Sequence, residues 1–71
     1  MFKLNQQIQH RKTQATGTIT AKHTICLFGN PNIKVWAIVW DRPEHGIPAA
    51  YRDEGGTDKA GYLPTELRAV A

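Results

Sequence analysis

The first forty residues of this 71-residue chain contain no aspartate and no glutamate. Lys3, Arg11, Lys12, Lys22 and Lys34 stand there uncompensated, giving +5. Residues 41–71 hold Asp41, Glu44, Asp53, Glu54, Asp58 and Glu66 against Arg42, Arg52, Lys59 and Arg68, giving −2. The mild net charge of +3 thus conceals a basic half and an acidic half. Such a layout suits a polyanionic ligand or head-to-tail pairing of the chain with itself. Cysteine is almost lacking. Cys26 stands alone, which excludes an internal disulfide and fits a reducing compartment. No apolar run reaches signal-peptide or membrane-spanning length. The expectation is a soluble, cytoplasmic protein with no membrane partner.

Length is also in short supply. A domain of this size buries only about 60% of its unfolded surface. One small core is expected, in a single domain spanning 1–71, with residues 1–6 prone to fraying and 42–60 as a long irregular loop. A deep substrate cavity within one protomer is not expected on volume, and any sizeable pocket would need a loop or a second copy of the chain.

What the chain does have is β-periodicity. Ile33-Lys34-Val35-Trp36-Ala37-Ile38-Val39-Trp40-Asp41 holds seven apolar residues in nine, mostly β-branched or aromatic. It is bounded by Gly29-Asn30-Pro31-Asn32 and by Arg42-Pro43, both turn signals. This run reads as the central strand. Both its parities are apolar: Ile33, Val35, Ala37 and Val39 on one, Trp36, Ile38 and Trp40 on the other. One face is expected to be core and the other exposed for a partner or covered by the long loop.

Around it, residues 2–11 alternate, with Phe2, Leu4 and Ile8 on one parity. Lys12–Gly17 reads as a loop in which Gly17 makes the tight turn. Residues 18–28 form a second strand, with Ile19, Ala21, His23, Ile25 and Leu27 on one face and a threonine-rich face opposite. Ala49-Ala50-Tyr51-Arg52 suits a short strand within the long loop. Pro64-Thr65-Glu66 suits one 3₁₀ turn before a last strand returning Leu67 and Val70 to the core.

Gly17-Thr18-Ile19, Trp36 to Asp41 and Gly61 to Val70 together resemble the SH3-like small-barrel superfold, as found in Tudor-, KOW- and chromo-like modules. The resemblance covers about residues 8–70. It implies an all-β, five-stranded barrel with one short 3₁₀ turn before the last strand. It identifies architecture and not activity, because this superfold hosts many unrelated functions. The small plasmid-borne, trimethoprim-resistant dihydrofolate reductases are similar in size and strand order, and act as tetramers around a central pore. That family relies on Val-Gln-Ile-Tyr before its last strand. Here Lys59-Ala60-Gly61-Tyr62 stands in that place and only Tyr62 matches, so the reductase activity is not carried over.

Three constellations are candidates for function. Lys3, Arg11, Lys12, Lys22 and Lys34 fall on or beside the first three strands, where they can neutralise phosphates; the competing reading is an ordinary solvated face. Val35, Trp36, Trp40, Tyr51 and Tyr62 form a candidate interaction surface for a protein partner or a second copy, or else core. His10, His23, His45 and Cys26 lack metal-ligand spacing, so no metal or other cofactor is expected. No paired titratable groups point to catalysis. The leading expectation is a non-enzymatic module that binds nucleic acid through basic strand faces. The alternative is a protein-interaction or self-association module using residues 33–41.

Overall fold

The computed structural model describes residues 2–42, 47–56 and 58–70. The chain is all-β apart from one 3₁₀ turn. The strands are β1 (Gln7–His10), β2 (Thr16–Leu27), β3 (Asn30–Trp40), β4 (Tyr51–Arg52), β5 (Ala60–Gly61) and β6 (Leu67–Ala69), with the turn at Pro64–Glu66. The expected five-stranded barrel is drawn differently by the hydrogen bonds. One open, antiparallel sheet has the order β3-β2-β1-β6, and β4 and β5 form a separate two-stranded ladder. A single antiparallel bridge at Trp36 and Tyr62 ties that ladder's end to β3. It is closed by reciprocal N–H to C=O bonds of 2.9 Å.

The β2–β3 hairpin is the frame of the molecule. Its connection is the two-residue turn Phe28–Gly29, one step earlier than the glycine-asparagine-proline signal suggests. Both turn residues have positive φ, 55° and 76°, as a type I′ hairpin requires. Asn30, Pro31 and Asn32 belong to the strand instead. Pro31 is tolerated there because the register shifts beside it: Ile25 faces Ile33, yet Leu27 faces Asn30. One residue of β2 thus opposes two of β3, which is a β-bulge.

A second bulge runs the other way. Ile19 faces Ile38 and Ala21 faces Ala37, leaving Thr20 as the extra residue on β2. The consequence is large, because a one-residue slip moves side chains to the other face. Ile19 lies on the Trp36 side of the hairpin, whereas Ala21, His23 and Ile25 lie on the Val35 side. The shared face expected for Ile19, Ala21, His23, Ile25 and Leu27 is therefore divided.

That division resolves the two apolar parities of β3: both are used. Val35 is 0% exposed and Trp36 only 7%. Trp36 belongs to one cluster with Ile8, Ile19, Tyr62 and Leu67, against which Phe2, Ile38, Trp40, Ile47 and Ala50 pack. Val35 belongs to a second with Ile25 and Leu27, covered by Ile33, Tyr51 and Leu63. Neither parity as a whole is exposed. The described part of the long segment supplies the cover, as does the chain around Leu63. At the far end of the Val35 parity, Val39 emerges.

Gly17 is not a turn residue. It sits inside β2 opposite Ile8 and Trp40. A Cβ there would lie 2.7 Å from Ile38 Cγ2 and 2.8 Å from the Val39 carbonyl oxygen. Its role is close approach of two strands. The first strand is shorter than the alternation of residues 2–11 implies. Asn5 adopts a φ of 66°, and its N–H donates to the Ile19 carbonyl at 2.8 Å, so residues 2–6 make a held turn. Leu4 is consequently exposed while Phe2 folds back onto Trp36. At the other end the 3₁₀ turn lies where the sequence places it, held by the Leu63 N–H donating to the Glu66 carboxylate at 3.1 Å. Leu67 enters the core, but Val70 is exposed. Pro43, His45 and Gly46 lie outside the described residues.

Candidate nucleic-acid interface

The two bulges place Lys22 directly opposite Trp36, and Lys34 opposite Thr24, on one face of the hairpin. The Lys22 ammonium sits 5.4 Å from the centroid of the Trp36 ring, within cation–π range. The Lys34 ammonium donates to the Thr24 hydroxyl at 3.2 Å. Phe2 meets Trp36 edge to face, with centroids 6.0 Å apart and planes at 84°. Phe2, Lys22, Lys34, Trp36 and Pro64 together line a groove of about 290 Å³. Its floor and walls are apolar, and among the described residues its charged lining groups are both ammonium groups and none is a carboxylate.

Only two of the five basic candidates meet there. Lys3 is exposed beside Phe2, its backbone N–H donating to the Gln6 side chain at 2.9 Å. Arg11 and Lys12 follow the far end of β1. The Arg11 Nε–H donates to the Leu67 carbonyl at 3.1 Å, fastening β1 to β6. Lys12 is exposed in the turn after β1. The basic set is therefore a groove pair plus outliers rather than one continuous stripe.

The aromatic candidates are mainly structural. Tyr62 is buried at the centre of a polar chain: the Trp40 Nε1–H donates to its hydroxyl at 3.3 Å, and that hydroxyl donates to the Pro48 carbonyl at 2.9 Å. Tyr51 packs under Phe28 with ring centroids 6.2 Å apart. Val35 offers no surface to a partner, and Trp36 and Tyr62 offer only a rim, that of Trp36 flooring the groove. Phe2 and Pro64 are the lining residues that sequence reasoning missed. Phe2 shares parity with Ile8, which suggests a shared strand face; Asn5, a residue tolerant of positive φ, is the signal that the chain turns before β1 begins.

The remaining polar clusters are inward-turned. Buried His10 accepts the N–H groups of Lys12 and Thr13 at Nδ1, at 3.2 and 3.3 Å. Its Nε2 has no hydrogen-bond partner among the described residues and is enclosed beside the rings of Trp40 and Tyr62. Asp53 and Glu54 clamp the end of the hairpin. The Glu54 N–H donates to the Cys26 carbonyl at 2.9 Å, and the Glu54 carboxylate accepts the Phe28 N–H at 3.1 Å. Burial and the neighbouring Glu54 and Asp53 push the Cys26 thiol up from its ordinary value. Among the described residues no group of three His, Cys, Asp or Glu side chains could hold a metal ion, and no helix is long and apolar enough to cross a membrane. Comparison with protein-family models, curated proteins and solved structures finds no match for this chain.

Proposed function

We propose that this protein is a non-enzymatic binding module that takes a nucleic-acid strand across the Lys22–Lys34 groove. One observation carries the reading: two ammonium groups flank an apolar, aromatic-floored groove with no carboxylate among the described residues of its lining. Phosphates pair with lysines by releasing counterions, and exposed base faces are attracted to apolar and aromatic surfaces. An apolar, aromatic floor suits unpaired bases, whose faces are free to stack, so a single strand is the better fit. The open sheet, tied to the two-stranded ladder by the Trp36–Tyr62 bridge, is read as an open relative of the SH3-like small barrel, whose strand faces commonly serve as binding surfaces. Lys3, beside Phe2, extends the positive surface; Arg11 and Lys12 contribute at a distance.

Fluorescence anisotropy with labelled 20-nucleotide dT and rU strands, and with a mixed-sequence duplex, tests this. Binding should weaken from low to physiological salt with a log–log slope of about −1.4 for two neutralised phosphates on a single strand. Lys22→Ala with Lys34→Ala should abolish most of it. Salt-independent binding, or binding indifferent to that double substitution, overturns the proposal.

A further inference from the structure

The turn of the β2–β3 hairpin carries an aromatic side chain that its position disfavours. Phe28 is the first residue of a type I′ turn, where asparagine or glycine is preferred. It adopts a φ of 55°, uncommon for a bulky residue, and is 73% exposed. Neither the turn nor the core accounts for a phenylalanine there. The side chain stands on Tyr51 by an edge-to-face contact, and the backbone beneath it is held by Glu54. The outcome is an apolar knob on a fixed stem, with the Glu54 carboxylate at its base and Asp53 next to it.

The groove has the complementary form. Its apolar floor and walls are Phe2, Trp36 and Pro64, and its charged flanks are Lys22 and Lys34. An apolar cavity of about 150 Å³ accommodates benzene, so about 290 Å³ accommodates the Phe28 ring. Phe28 cannot reach the groove of its own chain. It stands on Tyr51, which covers the Val35 side of the hairpin, whereas the groove opens on the Trp36 and Lys22 side. The knob must therefore enter another molecule.

We infer that the Phe28 hairpin tip of one copy docks into the Phe2–Trp36–Pro64 groove of a second copy, with Glu54 set against Lys22 and Lys34. The contact joins two different surfaces, so it is head-to-tail: a docked pair keeps one free knob, on one copy, and one free groove, on the other, and growth ends only if the assembly closes into a ring. This goes beyond the proposed function. It uses the same groove but needs no nucleic acid, and a bound strand would compete with it.

Sedimentation velocity from 10 to 500 µM, without nucleic acid, tests the inference on four samples: the unaltered chain, Phe28→Asn, Lys22→Glu with Lys34→Glu, and an equimolar mixture of the two variants. The unaltered chain should gain mass with concentration, at least to twice that of one chain. Each variant alone should stay at the mass of one chain. The mixture should give a 1:1 species and nothing larger, because Phe28→Asn still offers a groove and the lysine variant still offers a knob. Thermal melts confirm folding; if the double glutamate variant does not fold, Lys22→Gln with Lys34→Gln replaces it. A monomer at every concentration, association of Phe28→Asn like that of the unaltered chain, or a mixture that stays at the mass of one chain overturns the inference. The Phe28→Asn variant separates the two readings: it keeps the groove, so its oligonucleotide binding reports on the proposed function alone.

Discussion

The indole N–H of Trp40 and the hydroxyl of Tyr62, 22 residues apart, meet at 3.3 Å with their rings nearly perpendicular at 84° and 5.2 Å between centroids. The same hydroxyl donates to Pro48. One oxygen thus fastens the end of β3 to the segment after Ile47. In Tyr62→Phe the ring contacts survive, but the Trp40 N–H loses its acceptor and the Pro48 carbonyl its donor. The expected cost is about 1–2 kcal/mol. Urea denaturation should show a lower midpoint at an unchanged slope.

Gly17 gives a sharper outcome. Alanine there would set its methyl against the Ile38 side chain, which can turn, and against the Val39 carbonyl, which cannot move without opening the β2–β3 ladder. Gly17→Ala should destabilise by about 1–3 kcal/mol, as overpacking does. The amides of Thr18 and Val39 should lose hydrogen-exchange protection first, because they flank the contact.

Cys26 should react slowly. With its thiol held above the ordinary range by burial and by Glu54 and Asp53, little thiolate is present at neutral pH. The rate of alkylation by iodoacetamide should lag that of an unstructured cysteine peptide at pH 7.5 and rise as pH climbs through the raised value. Glu54→Gln should speed it at fixed pH by removing one of the charges that disfavour the thiolate. Equal rates for Cys26 and the peptide would contradict this account.

Much of this architecture is legible from residue order alone. The aromatic run at 33–41, the threonine-rich strand before it, the Pro64 turn and the return of Leu67 follow from period two and from proline's fixed geometry. What escapes is register. Thr20 looks like any other strand threonine, and nothing local marks it as the extra residue that sends Ile19 and Ala21 to opposite faces. The slip goes with pairings to Ile38 and to the Trp36–Tyr62 bridge, which are distant in sequence. The hairpin turn escapes for the opposite reason: Phe28 contradicts the local preference that a sequence reader relies on. The groove shares in both failures. Its lysines are visible as charge, but their partnership with Phe2 and Pro64 depends on the turn at Asn5 and the pairing of β1 with β6.

The Phe28–Gly29 turn also bears on the order in which the molecule assembles. A two-residue loop brings β2 and β3 together at little entropic cost, whereas pairing Ile8 with Ala69 must close most of the chain into a loop. The hairpin can therefore form early with Lys22, Lys34 and Trp36 already aligned. Phe2 and Pro64 reach them only with the late, long-range contacts. A groove whose floor is local and whose walls are distant exists only in the completed fold, so any ligand it holds should slow global unfolding rather than merely protect the hairpin.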